Sequence, residues 1–259
     1  MKLLLKIAFL GTDYCGYQVQ NNGATIQGTF NEASIKLFGY ECDIVGCSRT
    51  DSGVHANAFY LTVAKKGEES IESTIPLERI PVAYNSLLPD DISVLEASYV
   101  SSEFHARYCV KYKEYIYKIW NGAVKNPFDS DRAYRAPYFI DDEKLVRMNE
   151  YACKFVGKKS FASFMASGSK IVDTTRTVKY AEVYKDGDYV IFKVAADGFL
   201  YNMVRIMVGT LLDNARTMKP VSDIDNIIES NDRTLAGSTA PACGLYLNKV
   251  EYDFPEEKN

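Results

Sequence analysis

A single carboxylate, Asp51, stands in the run Gly46-Cys47-Ser48-Arg49-Thr50-Asp51-Ser52-Gly53-Val54-His55-Ala56, two residues after an arginine and two before a glycine. The Arg49 guanidinium is close enough in sequence to contact either this carboxylate or a phosphate. Gly53 lets the backbone turn sharply or approach a ligand closely. Such a loop suits a carboxylate that stays ionised beside an anionic ligand, although a solvated turn aspartate would look the same in isolation. Tyr115 and Tyr117, two apart in Lys113-Glu114-Tyr115-Ile116-Tyr117, share one face of an extended segment. They form either an ordinary aromatic sheet face or a platform on which a base stacks, a contact of roughly 1–3 kcal/mol. Arg205 lies at the edge of an apolar helical stripe. It either snorkels to solvent or points into a cleft, where a cation within about 4–6 Å lowers an aspartate pKa by about 1–3.

Other chemistries find little support. Ser48, Asp51 and His55 or His105 suggest a hydrolase triad, but the second glycine of a Gly-x-Ser-x-Gly elbow is missing. Neither a phosphate-binding Gly-rich loop nor a dinucleotide fingerprint occurs. The six cysteines form no C-x-x-C pair and the chain has two histidines, so no metal-ligand set is expected. Scattered, unpaired cysteines suit a reducing cytoplasm. The apolar start, residues 1–10, is interrupted by Lys6 and reads as a buried strand rather than a signal peptide. No apolar run approaches the roughly 20 residues of a membrane span. The net charge of −4 argues against nucleic-acid binding over the whole surface but leaves room for a local basic cleft, since 30 Lys and Arg are present.

The elements that must position these residues follow from periodicity. Strands are expected at 3–10, 41–45, 55–64 and 92–100. A helix capped by Thr25 runs to Phe38 and stops at Gly39, and a second spans 76–87. The second half offers strands at 108–120, 161–164, 174–184, 189–196 and 245–252, and helices at 141–156, 199–214 and 221–230. Asp186-Gly187-Asp188 marks a hairpin. The first half thus reads strand, helix, strand, strand, helix, strand, and the second half repeats that order roughly. This order predicts an α+β fold of two ferredoxin-like (split βαβ) halves, residues 1–104 and 105–259, sharing a mostly antiparallel sheet with helices on one face.

The Asp51 loop resembles the catalytic loop of tRNA pseudouridine synthases of the TruA type. Tyr14-Cys15-Gly16-Tyr17-Gln18 with Thr25-Ile26-Gln27-Gly28 looks like the family's N-terminal signature. Leu88-Pro89-Asp90-Asp91-Ile92, Phe104-His105-Ala106-Arg107, Phe161-Ala162-Ser163-Phe164, Arg176-Thr177-Val178, Leu200 to Gly209, and Ala236 to Leu247 follow in the family's order. Ser48 and Ser52 depart from the usual glycine and alanine, Lys159-Ser160 replaces a frequent His-Asp pair, and residues 214–218 lack the common glycines. These departures bear on RNA contact and target preference more than on chemistry.

The resemblance implies isomerisation of uridine to pseudouridine in the tRNA anticodon arm, at positions 38, 39 and 40, by base flipping and one catalytic aspartate. Asp51 is then the catalytic residue, as nucleophile or as base, and Arg205 its ion-pair partner. Tyr115 contacts the base and Arg49 the RNA backbone. His55, Arg107 and Lys111 are possible RNA contacts, within a basic surface drawn from Lys113, Arg132, Arg135, Lys158, Lys159, Lys170 and Arg176. No cofactor or metal is implied. Partners would be tRNA and a second copy of the chain, with no membrane. A noncatalytic RNA-binding protein and a small-molecule enzyme using the same charged cluster are the competing expectations.

Overall fold

The computed structural model describes residues 1–169 and 171–253, so Lys170 lies outside the described residues. The fold is mixed α and β, with mostly antiparallel strand pairing and one short parallel pair, Val110–Trp120 with Tyr134–Arg135, among the registers described. Two compact units divide the chain, one of Met1–Lys111 with the segment from Leu247, the other Tyr112–Tyr246. The division therefore falls at 111/112 rather than 104/105, and the last strand belongs mainly with the first unit.

In the first unit, β1 (Lys2–Phe9), α1 (Ile26–Phe38), β2 (Cys42–Gly46), β3 (His55–Lys65), α2 (Ile80–Asn85) and β4 (Ile92–Val100) follow in order. The sheet runs β4-β1-β3, β2 pairs with β3, and all these pairs are antiparallel. Leu3, Leu5 and Ile7 of β1 are buried, as are Phe59, Leu61 and Val63 of β3. Leu5 sits opposite Leu61 on one side and Ala97 on the other. Helix α1 begins where Thr25 accepts the Gly28 N–H and ends at Gly39 in the left-handed region. Its Ile26, Phe30 and Ala33 complete the core. Helix α2 is shorter than the expected 76–87, because a 3-10 turn, Leu77–Arg79, takes up its first part. The last strand, β10 (Leu245–Tyr252), lies beside β3.

In the second unit, the sheet runs β5 (Val110–Trp120), β9 (Tyr189–Ala196), β8 (Thr175–Asp186) and β7 (Gly157–Ser160), with β6 (Tyr134–Arg135) parallel to the end of β5. Gly187 turns the β8–β9 hairpin, in which Asp186 faces Tyr189. Helices α3 (Asp142–Cys153), α4 (Met203–Arg216) and α5 (Ser222–Ser230) complete it. Two expectations change here. Residues 161–164 are not a strand; Ala162–Phe164 is a 3-10 turn that drives the Phe161 and Phe164 rings into the core. A four-residue apolar run reads equally well either way. Helix α4 starts at Met203 rather than Phe199, because Asn202 takes φ 59, ψ 10 and Leu200 to Met203 close a turn instead.

Candidate active site

Asp51 lies on the loop from β2 to β3 and is half-buried. A carboxylate on so short a side chain goes where its backbone goes, and this backbone is braced at both ends. Cys47 N–H donates to the Tyr60 carbonyl at 2.8 Å, and Tyr60 N–H lies 3.4 Å from the Cys47 Sγ. Val54 N–H closes a turn onto the Asp51 carbonyl at 3.2 Å, with Gly53 at φ 78. From outside the loop, Tyr17 N–H donates to the Thr50 carbonyl at 3.2 Å, and Ser52 Oγ donates to the Tyr14 carbonyl at 3.1 Å. Gly16, at φ 86, packs so tightly that a Cβ there would collide with the Thr50 carbonyl oxygen. A Cβ on Gly11 would meet the Val54 carbonyl in the same way.

The N-terminal signature is thus a brace. Tyr17 stacks on Phe59 with ring centroids 4.5 Å apart. Ile26 and Gln27 N–H groups donate to the Gly16 and Tyr17 carbonyls, so the start of α1 holds the brace in place. Tyr14 donates its hydroxyl to the Asp91 carboxylate at 2.8 Å, tying in the Leu88–Ile92 signature. Burial and this bond push the Tyr14 phenol well above its ordinary pKa. Two buried hydroxyls in this region, Tyr17 Oη and Thr50 Oγ1, have no hydrogen-bond partner among the described residues. Unsatisfied buried polar atoms are uncommon in native folds and tend to mark strained or functional places.

His55 departs from expectation. It is fully buried and its Nδ1 accepts the Gly11 N–H at 2.9 Å. A ring with no exposed surface cannot reach an RNA, so His55 is a strut of the loop rather than an RNA contact. Arg49 and Arg107 are exposed and line one open groove of about 240 Å³ together with Ser48, Tyr17, His105 and Tyr108. Lys111 is exposed and pairs with Asp253 at 3.1 Å.

The second unit holds Tyr115 and Arg205. Tyr115, on β5, is buried and meets Phe199 edge to face at 5.0 Å. Tyr117, on the same face, is sealed into the core, its hydroxyl donating to the Pro241 carbonyl at 2.7 Å. Arg205 is half-buried on the first turn of α4. Its Nε donates to the Ala240 carbonyl at 2.7 Å and one Nη to the Asn202 side-chain oxygen at 2.8 Å. The Ala236–Leu247 signature supplies Ala240. It lies close on α4, where Gly237 N–H donates to Thr210 Oγ1 at 2.9 Å and a Cβ on Gly209 would collide with the Ser238 carbonyl. Of the other basic candidates, Arg135, Lys159 and Arg176 donate to nearby backbone carbonyls. Among the described residues no group of three or more His, Cys, Asp or Glu could hold a metal ion, and no helix is long and apolar enough to cross a membrane.

A chain from the crystal structure of a Cbf5-Nop10-Gar1 complex overlaps this one at TM-score 0.38 and 15% identity, over 98% of this chain and 50% of that one. So loose an overlap assigns no fold. A family model described as tRNA pseudouridine synthase matches residues 151–253. The protein named tRNA pseudouridine synthase A of Anoxybacillus flavithermus is 42% identical over 248 residues, 95% of this chain and 97% of its own. That of Caldicellulosiruptor saccharolyticus is 41% identical over 251 residues, covering 96% and 99%. That of Clostridium acetobutylicum is 38% identical over 248 residues, covering 96% and 98%. The chain belongs to the tRNA pseudouridine synthase A family.

For a member of that family, the bracing residues are the part that spacing alone does not reveal. Gly11 and His55 are 44 residues apart and Arg205 and Ala240 are 35 apart.

Proposed function

We propose that this enzyme converts uridine to pseudouridine in the anticodon arm of tRNA, at positions 38, 39 and 40, with Asp51 as its catalytic carboxylate. The observation that carries the activity is the near full-length identity to tRNA pseudouridine synthases A. The choice of Asp51 is supported by a loop whose backbone is tied on both sides. The reaction breaks the C1′–N1 glycosidic bond, turns the uracil, and forms a C1′–C5 bond. The C5 proton is released and N1 becomes protonated, so substrate and product are isomers.

The target base must leave the stack first, which costs a few kcal/mol and less in a loop than in a stem. Tyr115 packs on the everted base, Arg205 supplies the guanidinium that keeps Asp51 ionised, and Arg49 and Arg107 contact the RNA backbone. Asp51 then acts as nucleophile at uracil C6, or removes the ribose 2′ proton through a glycal; the residues present serve either route. Water must be kept from C1′, because its attack there is the hydrolysis that glycosidases perform.

The same reading makes each half of the fold ferredoxin-like, supported in the first unit by the order β1-α1-β2-β3-α2-β4 with strands arranged 4-1-3-2. It also makes the enzyme a cytoplasmic homodimer. The test is carbodiimide mapping of unmodified tRNA transcripts after incubation. Product in the anticodon arm with wild type, and none with Asp51→Ala, is expected; no product on any transcript overturns the reading.

A further inference from the structure

Two of the grooves on the first unit differ in charge. The larger, about 600 Å³, is lined by Glu41, Asp43, Glu68 and Glu69 against Lys2 and Lys66, and would repel a polyanion. The smaller, beside the Asp51 loop, has Arg49 and Arg107 in its lining and no carboxylate, in a chain of net charge −4. Tyr108 stands in this second groove with 76% of its surface exposed. A large, exposed tyrosine ring is ordinary on a mobile loop, but this one is fixed.

The segment after β4 is anchored by buried Phe104 and Ala106, and the Tyr252 hydroxyl donates to the Ala106 carbonyl at 2.7 Å. His105 Nδ1 accepts the Arg107 N–H at 3.1 Å, and the His105 carbonyl accepts the Tyr108 and Cys109 N–H groups. The imidazole then lies against the Tyr108 ring, centroids 4.3 Å apart and planes 33° apart. The Arg107 guanidinium sits 5.9 Å from the Tyr108 ring centroid. Tyr17, lining the same groove, brings a buried hydroxyl without a partner among the described residues. A preoriented aromatic ring beside one arginine, with a second arginine in the same lining, is a combination that holds a single-stranded nucleotide, the ring taking the base and the cations the phosphate.

We propose that this groove is a nucleotide subsite in which an unpaired base of the tRNA substrate stacks on Tyr108 while Arg107 and Arg49 hold its phosphates. It is a second base contact, separate from the one made by Tyr115 with the everted uridine, and it fixes the register of the RNA beside the catalytic loop. The proposal rests on the function proposed above.

The test measures KM and kcat on an unmodified tRNA transcript, and Kd as a function of salt, for wild type and for Tyr108→Ala, Tyr108→Phe, Tyr108→Trp and Arg107→Ala. Tyr108→Ala should raise KM by about 5- to 150-fold with kcat changed less than about threefold, and Phe or Trp should restore the wild-type value because only the ring is needed. The salt slope should be unchanged in Tyr108→Ala and fall by about one unit in Arg107→Ala. A Tyr108→Ala enzyme with wild-type KM overturns the subsite. So does a KM lost in Tyr108→Phe as well, or a change of sedimentation mass in Tyr108→Ala, which would make Tyr108 a subunit contact. If wild type itself forms no pseudouridine, the parent function fails instead.

Discussion

The Asp51 loop and the start of α4 solve the same problem by opposite means. In the function proposed above, each aims one charged group. The loop is aimed by its backbone: tight glycine packing at Gly11 and Gly16, a buried His55, and main-chain bonds at Cys47, Thr50 and Val54. Arg205 is aimed through its side chain, by the Ala240 carbonyl on Nε and the Asn202 amide oxygen on Nη. The difference follows from length. An aspartate carboxylate lies two bonds from its Cα, so fixing the main chain nearly fixes the charge. A guanidinium ends a chain carrying about 2 kcal/mol of rotamer entropy, and acceptors at its tip must take that freedom away.

Breaking each device should therefore give a different failure. The largest effect is removal of the charge itself. Asp51→Asn keeps the shape and should lower the rate of pseudouridine formation on the order of 10³-fold or more, with an unchanged melting temperature. Wild-type turnover in this variant would place the chemistry elsewhere. Gly16→Ala comes next. It adds a side chain at φ 86 and forces the Thr50 carbonyl away. The strain costs roughly 1–2 kcal/mol of stability, and a displacement of about 1 Å at Asp51 is enough for a loss near 10²-fold in kcat. Retained kcat with lowered stability would show that the loop tolerates movement and that the brace serves folding alone.

The side-chain device is tested by Asn202→Gly. Glycine keeps the left-handed start of α4 but deletes the oxygen that Arg205 uses. A hydrogen bond to a charged group contributes about 1.5–3 kcal/mol. Part of it is recovered by water, so kcat should fall about tenfold with tRNA affinity retained. Because Asn202 acts through Arg205, adding Asn202→Gly to Arg205→Ala should cost nothing more. Independent, additive losses would separate the two residues.

These two devices also mark where sequence reading succeeds and stops. The Thr25 cap, the Phe30 face and the Gly39 stop are local signals, and α1 lies where they place it. Arg49, Thr50 and Asp51 are one motif and needed no fold to be singled out. His55 reads in sequence as a possible RNA contact; its partner, the Gly11 N–H, is remote in sequence and invisible to any local pattern. The same holds for Gly16 and Thr50, and for Arg205 and Ala240. The apolar stripe of α4 continues through Leu200, whose burial belongs to the turn before the helix, so periodicity overran the left-handed Asn202. Nonlocal bracing, which decides where the charges point, is what the sequence leaves unwritten.

The smallest effect expected concerns the turn at His105, which mixes the two devices: a side chain that orders main-chain N–H groups. Burial, then the Lys2 charge, holds the His105 pKa below its ordinary value, with Arg107 acting in the same sense and Glu69 against it. The neutral ring is the form whose Nδ1 accepts the Arg107 N–H. Below about pH 6.5 the unfolded chain therefore binds more protons at this site than the folded one, and stability falls as the pH drops towards 5. His105→Asn keeps an acceptor that can bond the backbone two residues on but does not titrate. Between pH 7 and 5 its melting temperature should fall less than that of wild type, by about 1–2 °C, a small margin because the ring is partly solvated. Parallel melting curves across that range would mean that the turn is held by its main-chain bonds and buried Phe104 alone, which would place it with the Asp51 loop rather than between the two designs.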